Sequence, residues 1–179
     1  MKRAISWLFV AFLVLAAPGA TTTPRIVDAA AEKKAIQKVI HASIGWAMTK
    51  DFDLLYGSLA QDAELFLFQP TSTTTIVGFE AFQKFAEAHW RTNDFKATGY
   101  EFRDVRINLS RSGDVAWFSA IMDDCGEFKG QPGCWKDTRY TGVLEKRRGK
   151  WVLCQMHFSF AADKVLAESR QSAKEQKNP

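Results

Sequence analysis

Histidine and cysteine are scarce in this 179-residue chain, with three of each, and the cysteines, at positions 125, 134 and 154, follow no zinc-site spacing. With so few soft ligands, no metal centre is expected, and no stretch reads as a cofactor-binding motif. Clustered positive charge is also missing. Setting aside residues 1–20, which hold Lys2 and Arg3 and no acid, lowers the formal net charge from +4 to +2. The one dense group, Lys146, Arg147, Arg148 and Lys150, falls in a tight turn and reads as a solvated hairpin tip, so no nucleic-acid partner is expected. Beyond residue 17 there is no long apolar run, and no repeat or linker divides the chain. One domain is expected.

The N-terminus differs from the rest. "MKRAISWLFVAFLVLAAPGA" has a basic start, an apolar run from Ile5 to Ala17 and small residues at Gly19 and Ala20. This is the pattern of a cleavable signal peptide over residues 1–20, too short and wrongly flanked for a comfortable membrane span. No cysteine follows it to carry a lipid anchor. A periplasmic or secreted protein is expected, with no membrane attachment after cleavage. Export permits disulfides, and Cys125 and Cys134 flank the loop "GEFKGQPG" between two predicted strands, so a cross-strand Cys125–Cys134 bridge is the natural pairing. Cys154, in an apolar strand, reads as a buried free thiol.

Aromatic residues are plentiful. "AEKKAIQKVIHASIGWAMTK" sets Ile36, Val39, Ile40, Ile44 and Ala47 on one helical stripe. "DFDLLYGSLA" predicts a short second helix, and "AELFLF" and "TTTIV" predict strands, the first ended by Pro70. "FEAFQKFAEAHW" repeats Phe79, Phe82, Phe85 and Trp90 at helical spacing. Four longer strands follow: "ATGYEFRDVRINLS", "DVAWFSAIMDD" and the two halves of "CWKDTRYTGVLEKRRGKWVLCQMHFSF". Residues 162–179 read as an amphipathic helix fraying into a polar tail. The class is α+β, with a curved, mostly antiparallel sheet wrapping the N-terminal helices.

The last hairpin concentrates residue types used in catalysis. A three-residue loop, Arg147-Arg148-Gly149, would put Gly149 where a type I turn with a G1 bulge needs a left-handed residue. That register pairs Glu145 with Trp151, Thr141 with Gln155 and Arg139 with His157. It leaves Arg139, Thr141, His157 and Ser159 on a polar face directed away from the helices. Tyr140, Met156 and Phe158 then lie on the apolar face, as the floor of a cavity. His157 with Arg139 is a candidate acid–base pair if the face is reversed. An outer-face hydrogen-bonded pair is the simpler reading. Asp123, next to Asp124, is a candidate base if desolvated; a salt bridge to Lys136 is the simpler alternative. Tyr56, Phe68, Trp90, Tyr140, Met156 and Phe158 are the candidate ligand-binding residues.

The segments "GDVAWF", "TRYTGVLEKRRGKW", "HFS" and "IVGFEAF" resemble the SnoaL-like branch of the nuclear transport factor 2-like superfamily. The resemblance spans about residues 32–161. It implies a cone-shaped, cystatin-like α+β fold with a small-molecule pocket between helices and concave sheet, and a homodimer through the outer sheet face. The aromatic residues point first to binding of a small apolar or aromatic ligand; the resemblance, silent on substrate, adds a cofactor-independent isomerase, lyase or hydrolase, or a non-catalytic association module. No catalytic set of the family transfers residue by residue.

Overall fold

A computed structural model describes residues 28–71 and 75–175; the expected signal peptide and the last residues of the polar tail lie outside them. Helix α1 (Ala29–Gly45) is started by Asp28, whose carboxylate accepts hydrogen bonds from the Ala30 and Ala31 amides, both at 3.1 Å. It buries Ile36 and Ile40 and runs into a 3₁₀ turn, Trp46–Met48, that buries Trp46. Asp51 caps α2 (Phe52–Gly57) in the same way through the Leu54 amide. Strands β1 (Phe66–Phe68) and β2 (Thr75–Val77) are short, and α3 (Phe79–His89) follows Gly78, which adopts φ +86°.

The long strands are β3 (Phe95–Leu109), β4 (Val115–Phe128), β5 (Gln131–Arg147) and β6 (Lys150–Ser159), and α4 (Ala162–Glu175) closes the chain. They form one open, curved, six-stranded sheet in the order β2-β1-β6-β5-β4-β3. Every pairing is antiparallel except β1 with β6. Helices α1, α2 and α3 pack on one face, and the core lies between. Ala116, Phe118, Ala120 and Met122 of β4 point inward and are buried, alternating with Trp117, Ser119, Ile121 and Asp123 on the outer face.

The β5–β6 hairpin differs from the register expected of it. The turn has two residues, Arg148 and Gly149, both at positive φ (50° and 81°), the signature of a type I′ turn. Arg147 therefore faces Lys150, and Lys146 faces Trp151. This turns Trp151 and Leu153 inward, where they are 5% and 0% exposed. Burying each side chain contributes about 1.5–3 kcal/mol, which decides between two turns that are both acceptable locally. A bulge at Cys154 then inserts one residue into β6, between the pairs Val143–Gln155 and Leu144–Leu153. Beyond it Thr141 faces His157 and Arg139 faces Ser159. Turn and bulge together restore the expected facing of Gln155, His157 and Ser159 while changing every partner.

The basic tip is also more structural than a solvated cluster. Lys146 Nζ pairs with Glu32 of α1, whose other oxygen accepts from Trp151 Nε1 at 2.6 Å. Arg147 bonds Asp62 and, at 2.9 Å, Glu145. These contacts tie the hairpin tip to the start of α1 and to the α2–β1 connection.

Candidate functional site

A cavity of about 390 Å³ lies between the helices and the inner sheet face. Its helical wall comprises Trp46, Ala47, Leu55, Phe82, Phe85 and Trp90, an aromatic cluster in which the Trp46 and Trp90 rings sit 5.3 Å apart. Met122, Met156 and Phe158 supply the sheet wall. The β4–β5 hairpin forms one end with Asp124, Glu127, Phe128, Gln131 and Trp135. Phe128, at the hairpin tip, is 49% exposed, which marks this end as the mouth. Cys125 and Cys134 are direct cross-strand partners, joined by a disulfide that also lines the cavity and ties the two strands together near the hairpin's tip.

Asp124 is the chemically distinctive residue. On the inner face it stands between Tyr100 of β3 and Trp135 of β5, its register partners. Among the described residues nothing donates a hydrogen bond to its carboxylate. Burial alone pushes its pKa up to about 6, because desolvation penalises the charged form and no cation offsets it. Asp123, one residue earlier, has the opposite surroundings. Its side chain turns outward and accepts from Arg103 Nη2 (3.1 Å), Lys136 Nζ (2.7 Å) and the Asp137 amide (2.9 Å). The Arg103 and Lys136 bonds hold its carboxyl far below the usual carboxylate range.

The candidate residues therefore divide. Trp90, Met156 and Phe158 line the cavity. Tyr140 lies one layer beneath it, fully buried, stacked on Phe158 at 4.4 Å. Its hydroxyl is 2.9 Å from Ser43 Oγ. Ser43 spends its own proton on the Ile40 carbonyl at 2.8 Å, so Tyr140 is the donor; burial raises its phenol pKa. Tyr56 is outside the cavity wall, donating to Glu87 at 3.1 Å and linking α2 to α3. Phe68 is 48% exposed on the outer face, where its ring lies 5.2 Å from His157. His157, Arg139 and Asp123 share that outer face, and none of them borders the cavity. The proposed outer-face pair does not form either, since Arg139 faces Ser159 and Ile121 while His157 faces Thr141. Cys154 is a free, half-buried thiol whose pKa burial pushes up to about 11.

Sequence reasoning passed over Asp124 in favour of its neighbour. A signal for it exists in "AWFSAIMDD". Once Ala120 is set opposite the buried Tyr140, strict alternation sends Met122 and Asp124 inward.

The model of the SnoaL-like domain family matches residues 36–163. No curated protein matches the chain in sequence. Solved structures share its fold. A proposed scytalone dehydratase from Novosphingobium aromaticivorans superposes with a TM-score of 0.62 at 14% identity, covering 72% of this chain and 83% of that one. A type 2 hexachlorocyclohexane dehydrochlorinase gives 0.57 at 15% identity, over 72% and 84%. A proposed calcium/calmodulin-dependent protein kinase II association domain from Xanthomonas campestris gives 0.57 at 19%, over 71% and 86%. At these identities the likeness concerns the fold alone.

Proposed function

The chain belongs to the SnoaL-like domain family, within the nuclear transport factor 2-like superfamily, and we propose that its cavity binds a small, largely apolar or aromatic molecule on which Asp124 moves a proton. The observation that carries this reading is an unpartnered, desolvated carboxylate in an aromatic-walled cavity. A group with a pKa near 6 is divided between acid and base forms close to neutral pH, where proton transfer is most effective. As carboxylate, Asp124 would take a proton from a carbon next to an electron-withdrawing group of the bound molecule. Returning that proton at another carbon is an isomerisation; loss of a leaving group from the adjacent carbon is an elimination. Both need only the carboxylate and the ligand, so the reaction class is a cofactor-independent isomerase or lyase. The walls exclude water and so keep the carboxylate basic.

Two further statements belong to this proposal. The protein acts outside the cytosol, a reading supported by the Cys125–Cys134 bridge and the apolar, basic-headed N-terminal segment. No helix among the described residues is long and apolar enough to cross a membrane. Two copies associate through the outer sheet face, supported by the exposed Trp117 and Phe68 there.

The test uses 2-tetralone, a neutral aromatic carbon acid. Trp46, Trp90 and Trp135 line the cavity, so binding should quench tryptophan fluorescence. Deuterium uptake next to the carbonyl, followed by proton NMR in D₂O, should be faster with the wild type than with D124N. Quenching without a difference in exchange would reduce the protein to a binder. No quenching at millimolar ligand would remove the cavity reading.

A further inference from the structure

The charge of the cavity wall narrows the ligand class. Asp124 and Glu127 both border the cavity, and no Lys, Arg or His does so among the described residues. Neither carboxylate forms an ion pair among the described residues, although the exposed Lys96 of β3 stands opposite Glu127 in register. The contrast with the rest of the molecule is pronounced. Asp123, Glu32, Glu87 and Asp62 are each matched with a Lys or an Arg. At the cavity, Asp124 sits beside apolar surface without such a match.

The remaining wall is aromatic: Trp46, Phe85, Trp90, Phe95 and Trp135, with Phe128 at the mouth, its ring already 5.6 Å from Lys129 Nζ. An aromatic ring attracts a cation over its face, most strongly when water is excluded. Carboxylate and ring thus favour the same sign of ligand charge, and an anionic ligand would meet the like charge of Asp124 in a poorly solvated space. A strongly hydrated cation, such as a metal ion or a primary ammonium, would lose its water shell with few oxygen ligands to replace it. A substituted ammonium loses little hydration and offers methyl groups to the same walls.

We propose that the cavity is selective for apolar molecules bearing a substituted ammonium nitrogen, held between the aromatic wall and the Asp124 carboxylate, with Glu127 at the mouth. This rests on the cavity being a small-molecule site, as proposed above, and adds the sign of the ligand's charge.

Three probes of nearly one shape test it: phenyltrimethylammonium, tert-butylbenzene and benzenesulfonate, which present a positive, a neutral and a negative tetrahedral head on one ring. Affinities are read by tryptophan quenching of the full chain at pH 7.5. The cation should bind about tenfold or more tighter than tert-butylbenzene, equivalent to about 1.4 kcal/mol, and benzenesulfonate should bind most weakly. In the D124N/E127Q double variant the cation-to-neutral ratio should fall towards one. Equal binding of cation and neutral probe to the wild type would overturn the inference while leaving the cavity reading intact. So would a ratio unchanged in the double variant. Failure of tert-butylbenzene and phenyltrimethylammonium alike would overturn both.

Discussion

Asp123 and Asp124 are neighbours on one strand, yet β4 presents them to opposite sides of the sheet. Asp123 meets Arg103, Lys136 and the Asp137 amide on the outer face. Asp124 meets tryptophan, phenylalanine and methionine in the cavity. The same side chain is thereby held as a structural anion on one face and left as a reluctant anion on the other. A carboxylate whose charge is fully matched has little reason to take up a proton near neutral pH, whereas an unmatched, desolvated one exchanges protons readily. The difference is one of parity along the strand, and it separates a residue that organises the hairpin from one able to do chemistry.

The largest effect should come from erasing the inner member of the pair. D124N should slow deuterium uptake by bound 2-tetralone about 10²–10⁴-fold, the usual contribution of a positioned general base, while D123N retains most of the rate. Equal losses in the two variants would erase the distinction. Next in size is the bridge beneath both residues. Cys125 and Cys134 are nine residues apart, and removing the crosslink as C125S/C134S should cost about 2–3 kcal/mol in urea unfolding. The accompanying loss of probe affinity should exceed what the stability change alone produces, because the hairpin carries the cavity mouth.

The two carboxyls should also oppose each other in the pH dependence of stability. Asp124 has its folded pKa raised from 3.8 to about 6, so the folded state binds the extra proton and its stability falls as pH rises from about 4 to 6. The penalty at pH 7 is about 1–3 kcal/mol. D124N should therefore be more stable than the wild type at pH 7, an advantage that disappears near pH 4. Asp123 has its folded pKa lowered. Its contribution is present above the unfolded value of about 4 and is lost as pH falls towards the folded one. D123N should lower Tm at pH 7 and close the gap to the wild type in strong acid. The smallest effect belongs to the outer face away from the ion pairs. H157A should change stability by no more than about 0.5 kcal/mol and leave probe binding untouched.

Much of this arrangement could be read from the chain before its structure. Helical spacing located α1 and α3, and the loop between Cys125 and Cys134 set those residues opposite each other. The hairpin register was not legible. Arg148-Gly149 and Arg147-Arg148-Gly149 are both acceptable turns locally, and the decision came from the burial of Trp151 and Leu153 against helices distant in sequence. The bulge at Cys154 has no local marker at all. Asp124 was obscured for a similar reason. Both alternating sets of β4 are apolar, Phe118 and Met122 on one side, Trp117 and Ile121 on the other, so hydrophobicity alone does not choose which aspartate enters the core. Pairing of Ala120 with Tyr140 chooses it, and that pairing depends on the whole sheet.

The central claim is that two adjacent carboxyls ionise under opposite constraints. A ¹³C-carboxyl NMR titration of the aspartates, assigned with D123N and D124N, reads this directly. The account predicts one resonance, absent from D124N, with a midpoint near 6, and another, absent from D123N, that remains ionised well below pH 4. Two midpoints together near 4, the value of an ordinary solvated aspartate, would contradict it.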